Sequence, residues 1–335
     1  MLQNNFKTQT YENGNLETDC IFEKVAKEWL TESMSRLKES SIVRYNNILH
    51  VHLIPNFGEM PMSNISRKMV IEFANELYIS GKEGTNKGLA ARTINSILSV
   101  LKSIFQYAAN NLDIRTENIN KIFIKHEQQP LKILSIHEQK QLNTFLLRDK
   151  NLTNVGILLC LYTGIRIGEL CALKWEDISE KEQCINIRHT MQRVQKSELA
   201  DISFDTKTHI LISSPKSSCS IRTIPIPDNI FSLLINLRTT NSAFLLTGSP
   251  EHFIEPRTMQ NRFKNITKQC GINDTNFHIL RHTFATRCVE LGFDIKSLSE
   301  ILGHASVNIT LNRYVHPSME LKRKNMELLS NVISQ

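Results

Sequence analysis

No C-x-x-C pair occurs anywhere in the 335 residues, and the seven cysteines follow no framework spacing. That excludes a disulfide-stapled scaffold and a zinc ribbon, and it argues for free thiols in a reducing compartment. Long apolar runs are missing as well. The longest, "GILLCLYTGI" at 156–165, is too short to span a bilayer and reads as a buried helix. The opening residues 1–19 have no apolar stretch of the kind a secretory leader needs. They read as a flexible tail, and a cytoplasmic protein with no membrane partner is expected. Repeats, low-complexity tracts and compact Cys/His or carboxylate clusters are absent too, so neither a metal nor a cofactor is expected.

What the chain does have is an ordinary globular balance, 41% hydrophobic and 22% charged, with enough length for two domains. Its net charge of +7 is uneven. Residues 1–130 hold 15 Lys and Arg against 14 Asp and Glu, whereas residues 131–335 hold 25 against 19. A basic second domain is consistent with a polyanion, of which nucleic acid is the commonest.

From Cys20 the pattern is helical. "FEKVAKEWLTESM" places Phe22, Val25, Ala26, Trp29 and Leu30 on one face. "ESSIVRYNNILHVHLIP" starts on a serine cap and should stop at Pro55. "SRKMVIEFANELYIS" has Ser66 as N-cap and Gly81 past its end, and "ARTINSILSVLKSIFQYAANN" has Ile94, Ile97, Leu98, Leu101, Ile104 and Phe105 on one face. Residues 20–126 therefore read as a small four-helix domain, 127–134 as a linker broken by Pro130, and 135–335 as a second domain. The latter opens on a capping box, Ser135 with Glu138. Three strand-like stretches follow, "CINIRHTMQRV", "THILISS" and "IRTIPIP", with "SPKSSCS" turning between the last two. Helices occupy the remainder, including a tail helix from about Met319. The fold class expected is mainly α with a small antiparallel sheet, α+β.

Several side chains invite chemistry, though each is ordinary alone. Arg166 and Glu169 in "TGIRIGEL" are one turn apart, the spacing of a structural ion pair. His278 and His282 in "HILRH" have a metal-binding spacing, but the zincin pattern needs a glutamate where Ile279 stands. Lys216 sits at the tip of the expected hairpin, where a solvated lysine is commonplace. Tyr314 shares its segment with Val307, Ile309 and Leu311, as a packed aromatic would.

Together they form an ordered set. "TGIRIGELCALKWEDI", "PKSSCSIRTIPIP", "HILRHTFATRCVELG" and "LGHASVNITLNRYVH" resemble, in content and order, the tyrosine site-specific recombinases of the phage integrase type. The resemblance is strong over residues 155–316 and looser over 20–126, where it implies a helical, SAM-like core-DNA-binding domain. It implies that Tyr314 attacks a DNA phosphate to give a 3′-phosphotyrosyl link, without metal or ATP. Arg166 and Arg281 would hold the phosphate, Lys216 would protonate the leaving 5′-oxygen, His278 would assist proton transfer, and His304 would hydrogen-bond a non-bridging oxygen. Those residue types suit the task. Guanidinium forks match phosphate oxygens and stay charged, and a phenol with a pKa near 10 needs help to ionise. Glu169 is expected to orient His278 or an arginine. Lys207 is a rival for the role of Lys216, and His316 receives none.

The resemblance also implies double-stranded DNA carrying specific recombination sites as partner, a homotetramer on that DNA, and an accessory excisionase or DNA-bending protein. Ser41, Arg44, Arg92, Thr93 and Asn95 are expected DNA contacts near helix starts, where phosphates are well received. Integration and excision of a mobile element is the leading reading. A Xer-like resolvase of chromosome or plasmid dimers, or an inactive sequence-specific DNA-binding protein, are the alternatives.

Overall fold

The computed structural model describes residues 20–81, 87–125, 130–195, 208–215 and 217–315, with 322, 323, 326 and 327. Lys207, Lys216, His316, the opening tail and most of the expected tail helix lie outside the described residues. The chain packs as two compact units, the first mainly residues 1–128 and the second mainly residues 129–335.

In the first unit, α1 (Phe22–Met34), α2 (Glu39–Ile48), α3 (Ile54–Phe57), α4 (Arg67–Ile79) and α5 (Ala91–Asn111) enclose one core. Phe57 anchors it, with ring centroids 5.9 Å from Phe22 and 5.0 Å from Phe73. Ser66 caps α4 by accepting from the Met69 amide, and Gly81 follows that helix at φ 72°. Two expectations fail. The N-cap of α2 is Lys38, whose side chain makes no capping bond. Nor does the chain stop at Pro55. It winds through a π-helical turn, Leu49–Leu53, directly into α3. The wider turn shifts the hydrogen-bond register, so Pro55 falls in the first turn of α3, where no amide donor is needed.

In the second unit, α6 (Ile136–Arg148) carries the Ser135–Glu138 capping box, and α7 (Leu152–Thr163) is buried along nearly its whole length. After α8 (Ile167–Ala172) come β1 (Ile178–Ser179), β2 (Cys184–Ile187), β3 (Thr190–Gln195), β4 (Thr208–Ser213) and β5 (Arg222–Pro225). Then follow α9 (Asp228–Ile235), α10 (Pro256–Gln269), α11 (Ile279–Glu290), α12 (Ile295–Leu302) and α13 (Val307–Tyr314). Residues 130–134, read as linker, end packed in this unit: Leu134 is fully buried, its amide donating to Thr283 and its carbonyl accepting from Arg287.

The sheet departs from expectation. "CINIRHTMQRV" is two strands, broken at Arg188 and His189. β4 pairs with β3, whereas β5 pairs antiparallel with β2, Ile185 opposite Ile224. β4 and β5 thus belong to different sheets and do not pair as a hairpin. Alternating strands carry no label for their partners, and β2 takes β5 because Ile185 and Ile224 both face the main core. Ser135→Ala removes one half of the capping box and is expected to cost about 1 kcal/mol in chemical denaturation.

Candidate active site

Three consecutive carbonyls at the end of α12 organise this region. Ile301 O accepts from Arg222 Nε at 2.6 Å, Leu302 O from Arg281 Nη2 at 2.5 Å, and Gly303 O from Arg166 Nη2 at 3.3 Å. The last carbonyls of a helix lack intrahelical partners and carry its negative dipole end, so they are natural acceptors for cations. Gly303 terminates α12 at φ 63°, and a Cβ there would lie 3.0 Å from Arg222 Cδ, so glycine permits the approach. The end of α7 contributes likewise: Gly164, at φ 68°, accepts from Arg281 Nη1 at 2.7 Å.

Glu169 lies among these guanidiniums, only 3% exposed. Its Oε1 accepts from Arg166 Nη1 at 2.8 Å and Arg222 Nη1 at 3.0 Å, and its Oε2 from Arg222 Nη2 at 2.9 Å and the Arg166 amide at 2.8 Å. Burial pushes its pKa up, but the hydrogen bonds and charge of Arg222, then of Arg166, outweigh that and hold it below the ordinary value. Of the two expected roles for Glu169, the geometry therefore gives arginine orientation and not His278. Arg222 went unnoticed in the sequence. Its one signal is a charged residue opening an apolar strand, "SIRTIPIP".

Arg281, on the first turn of α11, is 2% exposed, and Arg166 opens to solvent at 35%. Burial, then the charge of Arg166, draws the Arg281 pKa down to about 9, still protonated at neutral pH. Arg281 Nη2 also meets His304 Nε2 at 3.0 Å, and His304 Nδ1 meets Thr310 Oγ1 at 2.9 Å. The His304 ring lies parallel to that of Tyr314, centroids 6.3 Å apart.

Tyr314 ends α13, 5% exposed, packed with Ala285, Cys288, Leu298 and Leu302. Its carbon face is core, and its hydroxyl meets His282 Nδ1 at 2.9 Å. Burial raises its pKa, and Arg281, Arg313 and Arg166 oppose the rise. His282 is the second residue the sequence reading passed over, set aside there as a rejected metal ligand. His278 stands at the mouth, its ring 4.4 Å from that of His282, and borders a cavity of about 390 Å³ with Ile165, Gln260, Asn276 and Arg281. Desolvation first, then neighbouring charges, lowers His278 and His304 to about 4 and His282 to about 3, so all three are neutral at pH 7. Among the described residues no group of three or more His, Cys, Asp or Glu could hold a metal ion.

Of the expected residues, Arg166, Arg281, His278, His304, Tyr314 and Glu169 converge here. The expected DNA contacts lie in the first unit. Arg44, Arg92 and Asn95 line a cavity of about 310 Å³ along with Tyr45, Ser96 and Ser99. Asn95, however, spends its amide on the backbone of Ile124, donating at 2.9 Å and accepting at 2.8 Å. Thr93 is exposed near the start of α5 and Ser41 is half-buried near the start of α2.

Comparison with known proteins bears on this arrangement. Residues 124–320 match the model of the phage integrase family, and residues 21–78 that of the phage integrase N-terminal SAM-like domain. The chain belongs to the phage integrase family. It is thus a tyrosine site-specific recombinase, of the enzymes that cut and rejoin DNA. A tyrosine recombinase XerC-like protein of Caldanaerobacter subterraneus subsp. tengcongensis is 27% identical, over 91% of this chain and 81% of the relative. The transposase from transposon Tn916 of Enterococcus faecalis is 26% identical, over 72% of this chain and 64% of its own length. Among solved structures, the Tn1549 transposon integrase in complex with transposon right end DNA shares the fold, with TM-score 0.72 at 22% identity, over 91% of this chain and 99% of that one. No helix among the described residues is long and apolar enough to cross a membrane.

Glu169→Gln removes the only carboxylate hydrogen-bonded to these guanidiniums among the described residues. Breaking a buried ion pair costs about 3 kcal/mol or more, measurable by denaturation of the purified protein. Acid should act in the same direction through the histidines. Their folded pKa values lie below the ordinary 6.5, so the unfolded chain takes up protons first, and stability falls as pH drops from 6.5 towards about 4. A melting temperature unchanged over that range would contradict the neutral assignment.

Proposed function

We propose that this recombinase integrates and excises a mobile genetic element, with Tyr314 as nucleophile. The observation that carries the chemistry is the convergence of Arg166, Arg281 and His304 beside the Tyr314 ring. A phosphodiester presents two non-bridging oxygens, and cleavage adds negative charge to them in the transition state. Arg166 and Arg281 match that charge with donors already fixed in place, and Glu169 and the α12 carbonyls do the fixing.

In the proposed step, Tyr314 Oη forms a bond to phosphorus and the bond from phosphorus to the 5′-oxygen breaks. The phenolic proton passes to neutral His278, and Lys216 supplies a proton to the departing 5′-oxygen. The 3′-phosphotyrosyl link keeps the energy of the broken bond, so a 5′-hydroxyl from a partner duplex reverses the step and rejoins strands. His304 can join in once Arg281 turns its Nη2 to the phosphate. The hydroxyl of Thr310 either donates or accepts, so the imidazole proton can move from Nδ1 to Nε2 and face the phosphate oxygen. The buried Tyr314 ring requires the α13 segment to shift as a strand enters.

Double-stranded DNA with specific sites is the proposed substrate. Arg44 and Arg92 of the first unit are proposed backbone contacts, with Ser41 and Thr93 at nearby helix starts. Asn95 is better cast as the support that holds residue 124. A homotetramer on that DNA is proposed because a lambda integrase tetramer bound to a Holliday junction shares the fold, TM-score 0.60. An accessory excisionase or bending protein would set direction. A Xer-like resolvase is the second reading, favoured by the coverage of the XerC-like relative. Strand exchange between a plasmid dimer site and between element ends separates the two readings.

Tyr314→Phe is expected to abolish the covalent adduct on a nicked suicide substrate while DNA binding persists; an undiminished adduct would overturn the assignment. Lys216→Ala is expected to slow cleavage of ordinary DNA but spare a substrate with an activated 5′ leaving group. Equal losses on both would remove its role as acid. Binding is expected to weaken steeply with salt as phosphate contacts release counterions.

A further inference from the structure

His282 lies within hydrogen-bond distance of the Tyr314 hydroxyl, and the proposed chemistry leaves it without a task. Its two ring nitrogens have unlike partners. Nδ1 lies 2.9 Å from Tyr314 Oη, and Nε2 lies 3.2 Å from Arg313 Nη2. A guanidinium has five N–H donors and no acceptor. Nε2 must therefore be the bare nitrogen, or two donors would face each other. A neutral imidazole with a bare Nε2 carries its hydrogen on Nδ1.

We propose that His282, fixed in this tautomer by Arg313, donates Nδ1–H to the Tyr314 oxygen and is a positioning residue that favours the phenolate over the phenol. The proposal rests on the reading of Tyr314 as nucleophile. It gives His282 the opposite sense from a general base: the ring cannot take the phenolic proton, because the nitrogen facing the phenol already holds one. That proton leaves on the other side, towards the mouth where His278 stands. The contrast with His304 is instructive. Its outer partner, Thr310, donates or accepts, so that ring is free to exchange tautomers. Arg313 only donates, and His282 is held. A cationic His282 would lose its contact with Arg313 for the same reason. The groups around Tyr314 support the assignment. Arg281, Arg313 and Arg166 present positive charge, His304 is a neutral neighbour, and His278 stands beside His282. No carboxylate stands among those neighbours to accept the phenolic proton. Arg313 follows the same logic: it sits immediately before the tyrosine on α13, so the residue carrying the nucleophile and the residue setting its donor move as one.

Two measurements test this. Long-range proton–nitrogen NMR of the full chain reports the tautomer of each histidine, with His282→Asn used to assign the signal. The Nδ1–H form is expected for His282 in the wild type, and Arg313→Leu is expected to convert it towards Nε2–H. A wild-type Nε2–H or charged ring would overturn the proposal. The second measurement is the single-turnover rate of adduct formation against pH. His282→Leu deletes the donor, so the rising limb is expected to move to higher pH and the neutral rate to fall about tenfold, the change that one pKa unit brings. His282→Asn places an amide N–H where Nδ1–H was, and is expected to recover at least half of that shift. Leu and Asn variants with equal profiles, or a Leu variant with the wild-type limb, would overturn it. Failure of the nucleophile reading is separate: it would show as an adduct that survives Tyr314→Phe, whatever tautomer NMR reports.

Discussion

The end of α12 is the constraint on which this site depends. Residues 301, 302 and 303 each give a carbonyl to a different arginine, and those arginines come from α8, α11 and β5. Like charges repel, so gathering three guanidiniums needs fixed acceptors that cost little to desolvate. A helix terminus supplies them, because its last carbonyls are unpaired and point the same way. Glu169 neutralises one further charge and ties Arg166 to Arg222 from behind. What remains is a cationic cluster, led by Arg166 and Arg281, whose geometry is fixed by these partners.

That arrangement explains a division of labour among the arginines. Arg222 is nearly closed to solvent and has its donors committed to Glu169, Ser220 and Ile301. It is scaffold. Arg166 is open enough to reach a ligand. Arg281 is buried yet adjoins the cavity beside His278. Positive φ at Gly164 and Gly303 matters for the same reason. Each glycine ends a helix abruptly and turns its carbonyl towards a guanidinium, and a side chain at Gly303 would press on Arg222.

Tyr314 combines two demands that oppose each other. Packing against Leu298 and Leu302 fixes the ring but raises the cost of ionising it. The charges of Arg281, Arg313 and Arg166 and a hydrogen bond from Arg281 oppose that cost. The ring is thus held in the core while its hydroxyl stays within reach of polar groups.

Much of this was legible locally. The amphipathic helices, the caps at Ser66 and Ser135, the glycine stop at Gly81 and the identity of six converging side chains all follow from spacings within a turn or two, or from ordered motifs. Local backbone physics decides such features, and one sequence carries it. The partners of Glu169 were not legible, because Arg222 lies 53 residues away in the chain, and Arg281 meets Gly164 across 117. Nor were the pairing of β5 with β2, the π-turn that carries the chain past Pro55, or the contacts of His282 with Tyr314 and Arg313. Each depends on which surfaces meet once the chain has closed, and distance along a sequence carries no information about that. Residue types fixed what chemistry was available, and packing alone decided which groups would meet in one place.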